Sequence, residues 1–382
     1  MRNLAKSFIE QQTGLSGGRL MRLWRIVCIA GLMSGMNVVG YTIGCSLFVD
    51  RIGASGLPLS YVFVGLVASP LYVWFANILN RSAKPRLVRW ILMVSALVLT
   101  ALWACLRLDS PAIYYAIYVF TYFQWTLQLD IVLPNLISDY YTSRDYNRYA
   151  PWIVMAQTLG GTLGGGFVGL AAGTIGAPAL LLAVVPLALL VWWRVRVLEL
   201  GEAPIDAAQK EAEARQRRRS GEADNDGYVG RLTIFRRYPI VRLLAASTFL
   251  WVILYSLAEY QYFEIYSLRF QGSLADLTAF LGGFSAINSV TQFAMLYVVT
   301  RAAIDKLGVR RMAVFYPLTT LLGFVGLAFS PSFGFAIAMN VNSATIETSF
   351  NQPIHTLFYN PIPTRIAGRS EEHTSELQSP DH

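Results

Sequence analysis

The sequence predicts an all-α, polytopic membrane protein: a twelve-helix design, six plus six, truncated so that ten spans are present. Three observations predict it. The chain contains ten long apolar stretches, each near the ~20 residues that a helix needs to cross a bilayer. Its composition is 54% hydrophobic and only 14% charged, with a mean hydropathy of +0.44. The polar residues inside the stretches recur in a rhythm of three. Apart from Arg89 at the very start of span 3, spans 3, 6 and 9 contain no Asn, Gln, Asp, Glu, His, Lys or Arg, while spans 1, 4, 7 and 10 hold most of the amides and acids. A polar side chain facing lipid is costly, so such residues turn to the bundle interior or a wet cavity. Every third helix is therefore expected to face lipid, and the first of each triplet to line a polar pathway.

The elements follow in order. Residues 1–25 are mixed and basic, an expected cytoplasmic segment. Residues 26–193 form a six-helix bundle with spans Ile26–Val49, Leu57–Leu79, Val88–Leu106, Ala112–Ile137, Ala150–Ala172 and Ala177–Trp193. Residues 194–239 are a long hydrophilic stretch with the basic run Arg215, Arg217, Arg218 and Arg219, read as a cytoplasmic linker. Residues 240–368 carry Ile240–Phe263, Leu277–Thr300, Met312–Phe329 and Phe333–Phe358, four of the six helices of a second bundle. From Arg369 the chain reads RSEEHTSELQS, abruptly hydrophilic. That run closely resembles the in-frame translation of a sequencing-library adapter. Residues 369–382 are thus expected to be foreign to the protein, leaving His355 as its only histidine.

The +8 net charge is a topology signal rather than a nucleic-acid footprint. Alternating the loops across the bilayer leaves only Arg51, Arg107 and Arg269 of the 31 Lys and Arg on the far side. Basic loops stay cytoplasmic, so the N-terminus is expected inside, in contact with anionic lipid headgroups. Cys28, Cys45 and Cys105 all lie within spans with no metal-ligand spacing, and read as packed free thiols. No Walker motif, metal-spaced His/Cys cluster or His–acid pattern appears, so no cofactor and no enzyme activity are expected. A transporter of a small-molecule solute is the favoured class. A membrane sensor or scaffold without transport is the alternative, although it has no need of aligned amides and an acid at mid-bilayer depth. The oligomeric state is open.

Candidate site residues follow from depth and face. Asn37 lies about 16 Å along span 1, near the midplane. Gln124, Gln128 and Asn135 share one face of an ideal helix about 40° wide. Asn340, Glu347, Asn351 and His355 share another, about 80° wide, in span 10. With Asn288 in span 8, the expected substrate contacts are Asn37, Gln124, Gln128, Asn288, Asn340 and Asn351. Glu347 enters about 21 Å from the outer end of its helix. An ionised carboxylate there costs roughly 2.5–3.5 kcal/mol, so it must be paired, hydrated or protonated. It is the expected proton-coupling group. Glu259, about 28 Å along span 7, is expected at an outer mouth or gate. Asp130 points away from the Gln124 face and is expected to pair with the basic 4–5 loop. In span 5, Gly161, Gly165, Gly169 and Gly173 recur every fourth residue. That spacing predicts close helix packing.

The loop after span 2, NRSAKPR (Asn80–Arg86), is echoed after span 8 by DKLGVRR (Asp305–Arg311). The second loop matches the acidic–basic–x–Gly–x–basic–basic pattern of the major facilitator superfamily, which the chain resembles. The resemblance implies inverted three-helix repeats with a midplane substrate site, and a cytoplasmic loop gate at Asp305, Lys306, Arg310 and Arg311. A narrower resemblance covers Arg231–Gly368. LAEYQYF (Leu257–Phe263), FLGGFSAIN (Phe280–Asn288) and NQPIHTLFYNPIP (Asn351–Pro363) look like bacterial relatives of ATP/ADP translocases. That resemblance implies nucleotide exchange as an alternative function. The chain departs from it in carrying no Lys or Arg deep in any span to hold phosphates.

Overall fold

The computed structural model describes residues 18–79, 83–141, 143–202, 204 and 239–351. Among them there is no strand. The helices are α1 (Gly18–Arg51), α2 (Leu57–Leu79), α3 (Lys84–Cys105), α4 (Pro111–Trp125), α5 (Ser143–Ile175), α6 (Val184–Gly201), α7 (Pro239–Arg269), α8 (Leu274–Ala294), α9 (Arg301–Phe329) and α10 (Phe333–Val341). Seven of them, with their flanking turns, are long and apolar enough to cross a membrane: those of α1, α3, α5, α6, α7, α8 and α9. Of the other three expected spans, α2 is one continuous helix, and two are helical but less regular. The chain of α4 passes through a π-helical stretch, Thr126–Val132, into Leu133–Ile137, and α10 runs into a second, Asn342–Asn351. The residues that the sequence reading assigns to the adapter-like tail, and His355, lie outside the described residues.

Local chemistry sets the boundaries. Proline opens α3 and α4, where the missing N–H is one that the first turn leaves unbonded anyway. Gly176, at φ 84°, separates α5 from the turn that leads to α6. Gly308, at φ 75°, breaks α9 inside the DKLGVRR loop; a β-carbon is disfavoured there, which explains the glycine at that point of the motif.

The chain divides into two compact units. The first holds α1 to α6 together with α8 as far as Val290; the second holds α7, the chain from Thr291, α9 and α10. In the first, α1 is the core: Ile29, Ala30, Met33, Met36 and Ile43 are fully enclosed. Close approach to α1 is made possible by glycine. Gly160 and Gly164 of α5 face the backbone of Gly31 and Gly35. A second glycine row on α5 packs on α8, where a β-carbon at Gly165 would lie 2.7 Å from Gly282 O and one at Gly169 2.9 Å from Gly283 N. The predicted fourfold spacing is thus one of two packed faces. Gly166 and Gly173 meet nothing.

Ion pairs lace the basic end of this unit. Arg22 Nε and Arg25 Nη1 hold Glu202 at 2.9 and 3.2 Å, Lys84 Nζ holds Asp139 at 2.9 Å, and Arg89 Nη2 holds Glu199 at 2.7 Å. Between them, burial, reinforced by Asp139, Glu199 and Glu202, pushes the Tyr140 phenol up to about 12.

Exposed apolar side chains are not confined to every third helix. Trp90 and Leu97 of α3, Trp193 of α6 and Leu322 of α9 are exposed as expected, but so are Leu66 of α2, Leu163 and Leu170 of α5 and Phe249 of α7. The physical reason is geometric: in the first unit α1 is surrounded, whereas α2, α3, α5 and α6 each keep exposed apolar side chains.

Candidate functional site

The first unit joins three helices through amides. Asn37 of α1 donates from Nδ2 to Met33 O at 2.9 Å and to Gln128 Oε1 at 3.0 Å. Gln128 donates in turn from Nε2 to Ser95 Oγ of α3 at 3.2 Å. All three are buried. Asn37 Oδ1 and Gln124 Oε1 are enclosed with no hydrogen-bond partner among the described residues. A buried acceptor left unsatisfied costs about 1–3 kcal/mol, so two such oxygens in one bundle call for an explanation.

Asn135 does not join this face. Its Nδ2 turns back to Ile131 O at 2.7 Å. The cause is the π-helical stretch between Gln124 and Asn135, which replaces i→i+4 bonds by i→i+5 and rotates everything after it away from the ideal helical face. Asp130 lies in the same stretch and is exposed, and the side chain of Arg144 in the 4–5 loop, an expected partner, lies outside the described residues.

In the second unit the polar residues gather on the π-helical continuation of α10. Glu347 is buried, 5% exposed, within electrostatic reach of Tyr316 of α9. One turn earlier, Asn342 Nδ2 donates to Thr320 Oγ1 of α9 at 2.8 Å. Asn342 Oδ1 and Ser343 Oγ are enclosed without a hydrogen-bond partner among the described residues. Gln292 donates from Nε2 to Ala344 O at 3.3 Å and also to Thr348 Oγ1, and Ser349 Oγ donates to Gln292 O at 3.2 Å. Asn340 donates to Tyr266 OH of α7 at 3.3 Å. Glu259 is 1% exposed, so its side chain is buried and not open to solvent at a mouth. Asn351 and Asn288 are half-buried, the latter on α8 in the first unit. Lys306 and Arg311 are exposed at the break around Gly308, and the side chains of Asp305 and Arg310 lie outside the described residues. No group of His, Cys, Asp and Glu among the described residues is arranged to hold a metal ion.

Several residues on these faces escaped the sequence reading. Ser95, Thr320 and Tyr316 sit in spans where small hydroxyls and tyrosine carry no periodic signal. The aromatic residues Tyr118, Tyr122 and Trp125 recur at i, i+4 and i+7 on α4, a pattern that was available but indistinguishable from packing. A cavity of about 350 Å³ lies by Arg51, Trp103, Arg107, Asp109 and Tyr114, and none of the expected site residues lines it.

The Major Facilitator Superfamily pattern matches residues 86–370, three quarters of the chain. The chain belongs to the major facilitator superfamily. It is therefore a multi-pass membrane protein and a secondary transporter of small molecules working by alternating access, from a family of transporters rather than enzymes. A solved structure shares the fold: a bacterial homologue of the human lysosomal transporter Spinster, in an inward-facing and unoccupied conformation. The two are 15% identical, with a TM-score of 0.57, over 95% of this chain and 79% of that one. No curated protein sequence matches the chain.

Proposed function

We propose that this superfamily member moves its small solute across a bacterial cell membrane in exchange for, or together with, protons that bind and leave Glu347. The observation that carries the reading is a buried carboxylate on a π-helical stretch of ten residues. Irregular helix at membrane depth is tolerated only where it is buried in protein or lines a wet cavity, and acids at such places mark ion pathways. Asn340, Asn351 and Asn288, with Asn37, Gln124 and Gln128 in the first unit, are the proposed solute contacts. Asp305, Lys306, Arg310 and Arg311 are the proposed loop gate, and Glu259 a gating acid. Nucleotide exchange is the second reading. It is favoured by the segments Leu257–Phe263 and Phe280–Asn288 and opposed by the lack of Lys or Arg deep in the spans.

One experiment separates them. In proteoliposomes containing the purified chain, an imposed pH gradient is expected to drive accumulation of solute with no nucleotide on the opposite side. Uptake that requires opposing ADP and ignores the pH gradient means that the exchanger reading is correct.

The proposed orientation has a cytoplasmic N-terminus, with residues 194–239 inside and 267–275 outside, following the loop charges. A single cysteine at Ser220 is expected to resist an impermeant maleimide in intact cells and to react after lysis. Labelling from outside would invert the topology.

A further inference from the structure

The first unit places an aromatic cluster beside its orphaned acceptors. The ring centroids of Tyr41, Tyr118 and Tyr122 form a nearly equilateral triangle, 6.3 Å from Tyr41 to Tyr118, 6.2 Å from Tyr41 to Tyr122 and 6.5 Å from Tyr118 to Tyr122. Trp125 stands edge-on to Tyr41 at 5.8 Å. Tyr118 is fully buried and stacks on Phe48 at 4.7 Å, whereas Tyr41, Tyr122 and Trp125 are only half-buried.

The amides lie at the same level. Thr121 packs against Gly44, since a β-carbon at Gly44 would come within 2.5 Å of Thr121 Oγ1. Gln128 bonds Asn37. Gln124 lies between Thr121 and Gln128 at helical spacing, so it faces α1 at the level of Gly40 and Tyr41. Its Oε1 and Asn37 Oδ1 are the two unsatisfied oxygens, and both side chains are more than nine-tenths buried.

The chemistry is of one sign. Ring faces carry negative potential and attract a cation that stands over a face within about 6 Å of its centroid, and three tyrosine centroids lie within 6.5 Å of one another here. The orphaned atoms are acceptors and so ask for N–H or O–H donors. No Lys or Arg occurs between Arg107 and Arg144 on the chain of α4. On α1 the next cation is Arg51, roughly 15 Å further along the helix, where it is paired with Asp50 and Asp109 at 3.5 and 3.8 Å. An anion would meet ring faces and carbonyl oxygens with no compensating charge.

We propose that Tyr41, Tyr118, Tyr122 and Trp125, with Asn37 and Gln124, form the solute subsite, and that it takes an organic ammonium ion bearing N–H groups. This rests on the transporter reading and names its substrate class. The rings hold the charge, and the two amide oxygens accept the N–H bonds, which removes their buried penalty when the solute is present.

The test is calorimetric titration of the purified chain in lipid nanodiscs at neutral pH with benzylammonium, benzyltrimethylammonium and benzoate. Benzylammonium is expected to bind, benzyltrimethylammonium to bind more weakly because it has no N–H, and benzoate not to bind. Tyr41→Leu is expected to weaken benzylammonium by about tenfold or more, and Tyr41→Phe, which keeps the ring, by less than about threefold. Gln124→Leu is expected to erase the advantage of benzylammonium over its quaternary analogue. Thermal unfolding checks that each variant folds, and Trp125→Leu takes the place of Tyr41→Leu if the latter does not. The proposal is overturned if benzylammonium gives no saturable binding, if benzoate binds as well, or if the folded ring-deleting variant binds like the unsubstituted chain. Absence of binding together with pH-driven uptake of some other solute overturns the subsite and leaves the transporter reading standing. Binding without flux of any solute does the reverse.

Discussion

Replacing Gly160 by alanine is expected to unfold the first unit at markedly lower temperature. A β-carbon at Gly160 falls well inside van der Waals contact with Gly31 O, and one at Gly164 lies 2.6 Å from Gly35 O. The obstacles are backbone atoms of α1, not the ends of flexible side chains, so α1 and α5 must separate to admit a methyl group. Overpacking of this kind costs typically about 1–3 kcal/mol, and the upper end applies where nothing can rotate aside. Because α1 is the most buried helix of the unit, separation also loosens its contacts with α4 and α6. Gly166→Ala is the internal control. Nothing lies near its β-carbon, and alanine is favoured over glycine in a helix interior by about 1 kcal/mol. Thermal unfolding in detergent should therefore fall by several degrees for Gly160→Ala and hold or rise for Gly166→Ala. Equal melting of Gly160→Ala and the unsubstituted chain would show that the two helices do not meet at this seam.

The second large effect is expected at Glu347. Glutamine preserves size and hydrogen bonding but cannot titrate. Glu347→Gln should reduce solute accumulation driven by a pH gradient by at least about tenfold, as for an intramembrane relay acid. Exchange of labelled for unlabelled solute at equal pH should survive, because it needs only the change of access. Tyr316, the titratable neighbour on α9, is a separate test: Tyr316→Phe removes its hydroxyl and leaves the carboxylate in place. If the Glu347→Gln chain still concentrates solute along a pH gradient, the proton passes elsewhere. If it loses exchange and pH-driven uptake equally, Glu347 serves the solute or the fold rather than the proton.

Much of the architecture was legible because a bilayer allows so little choice. Backbone groups have no water to bond in hydrocarbon, so long apolar stretches must be helices. The loop motif after span 8 and the rhythm of polar spans therefore led to the superfamily. The glycine spacing in span 5 was legible as close packing for a similar reason, since few residues let two backbones meet. What it could not show was that α5 has two such faces, one on α1 and one on α8.

The site was legible in kind and not in geometry. The amides of Asn37 and Gln128 were expected to turn inward, and they do, but toward each other. Asn135 was placed on their face by an ideal 100° rotation that a π-helical stretch does not obey. Glu259 was placed at an outer mouth or gate by its distance along the helix, and its side chain is buried, which speaks against the open mouth alone.

The sequence by itself determined the fold class, the family and which spans carry polar groups, because each depends on the cost of polar atoms in lipid and on local spacing. Only the tertiary structure decided which amides satisfy one another, which oxygens stay unpaired and which rings converge. Those depend on helix rotation and on contacts between residues more than ninety positions apart, as Asn37 and Gln128 are, and no local pattern encodes them.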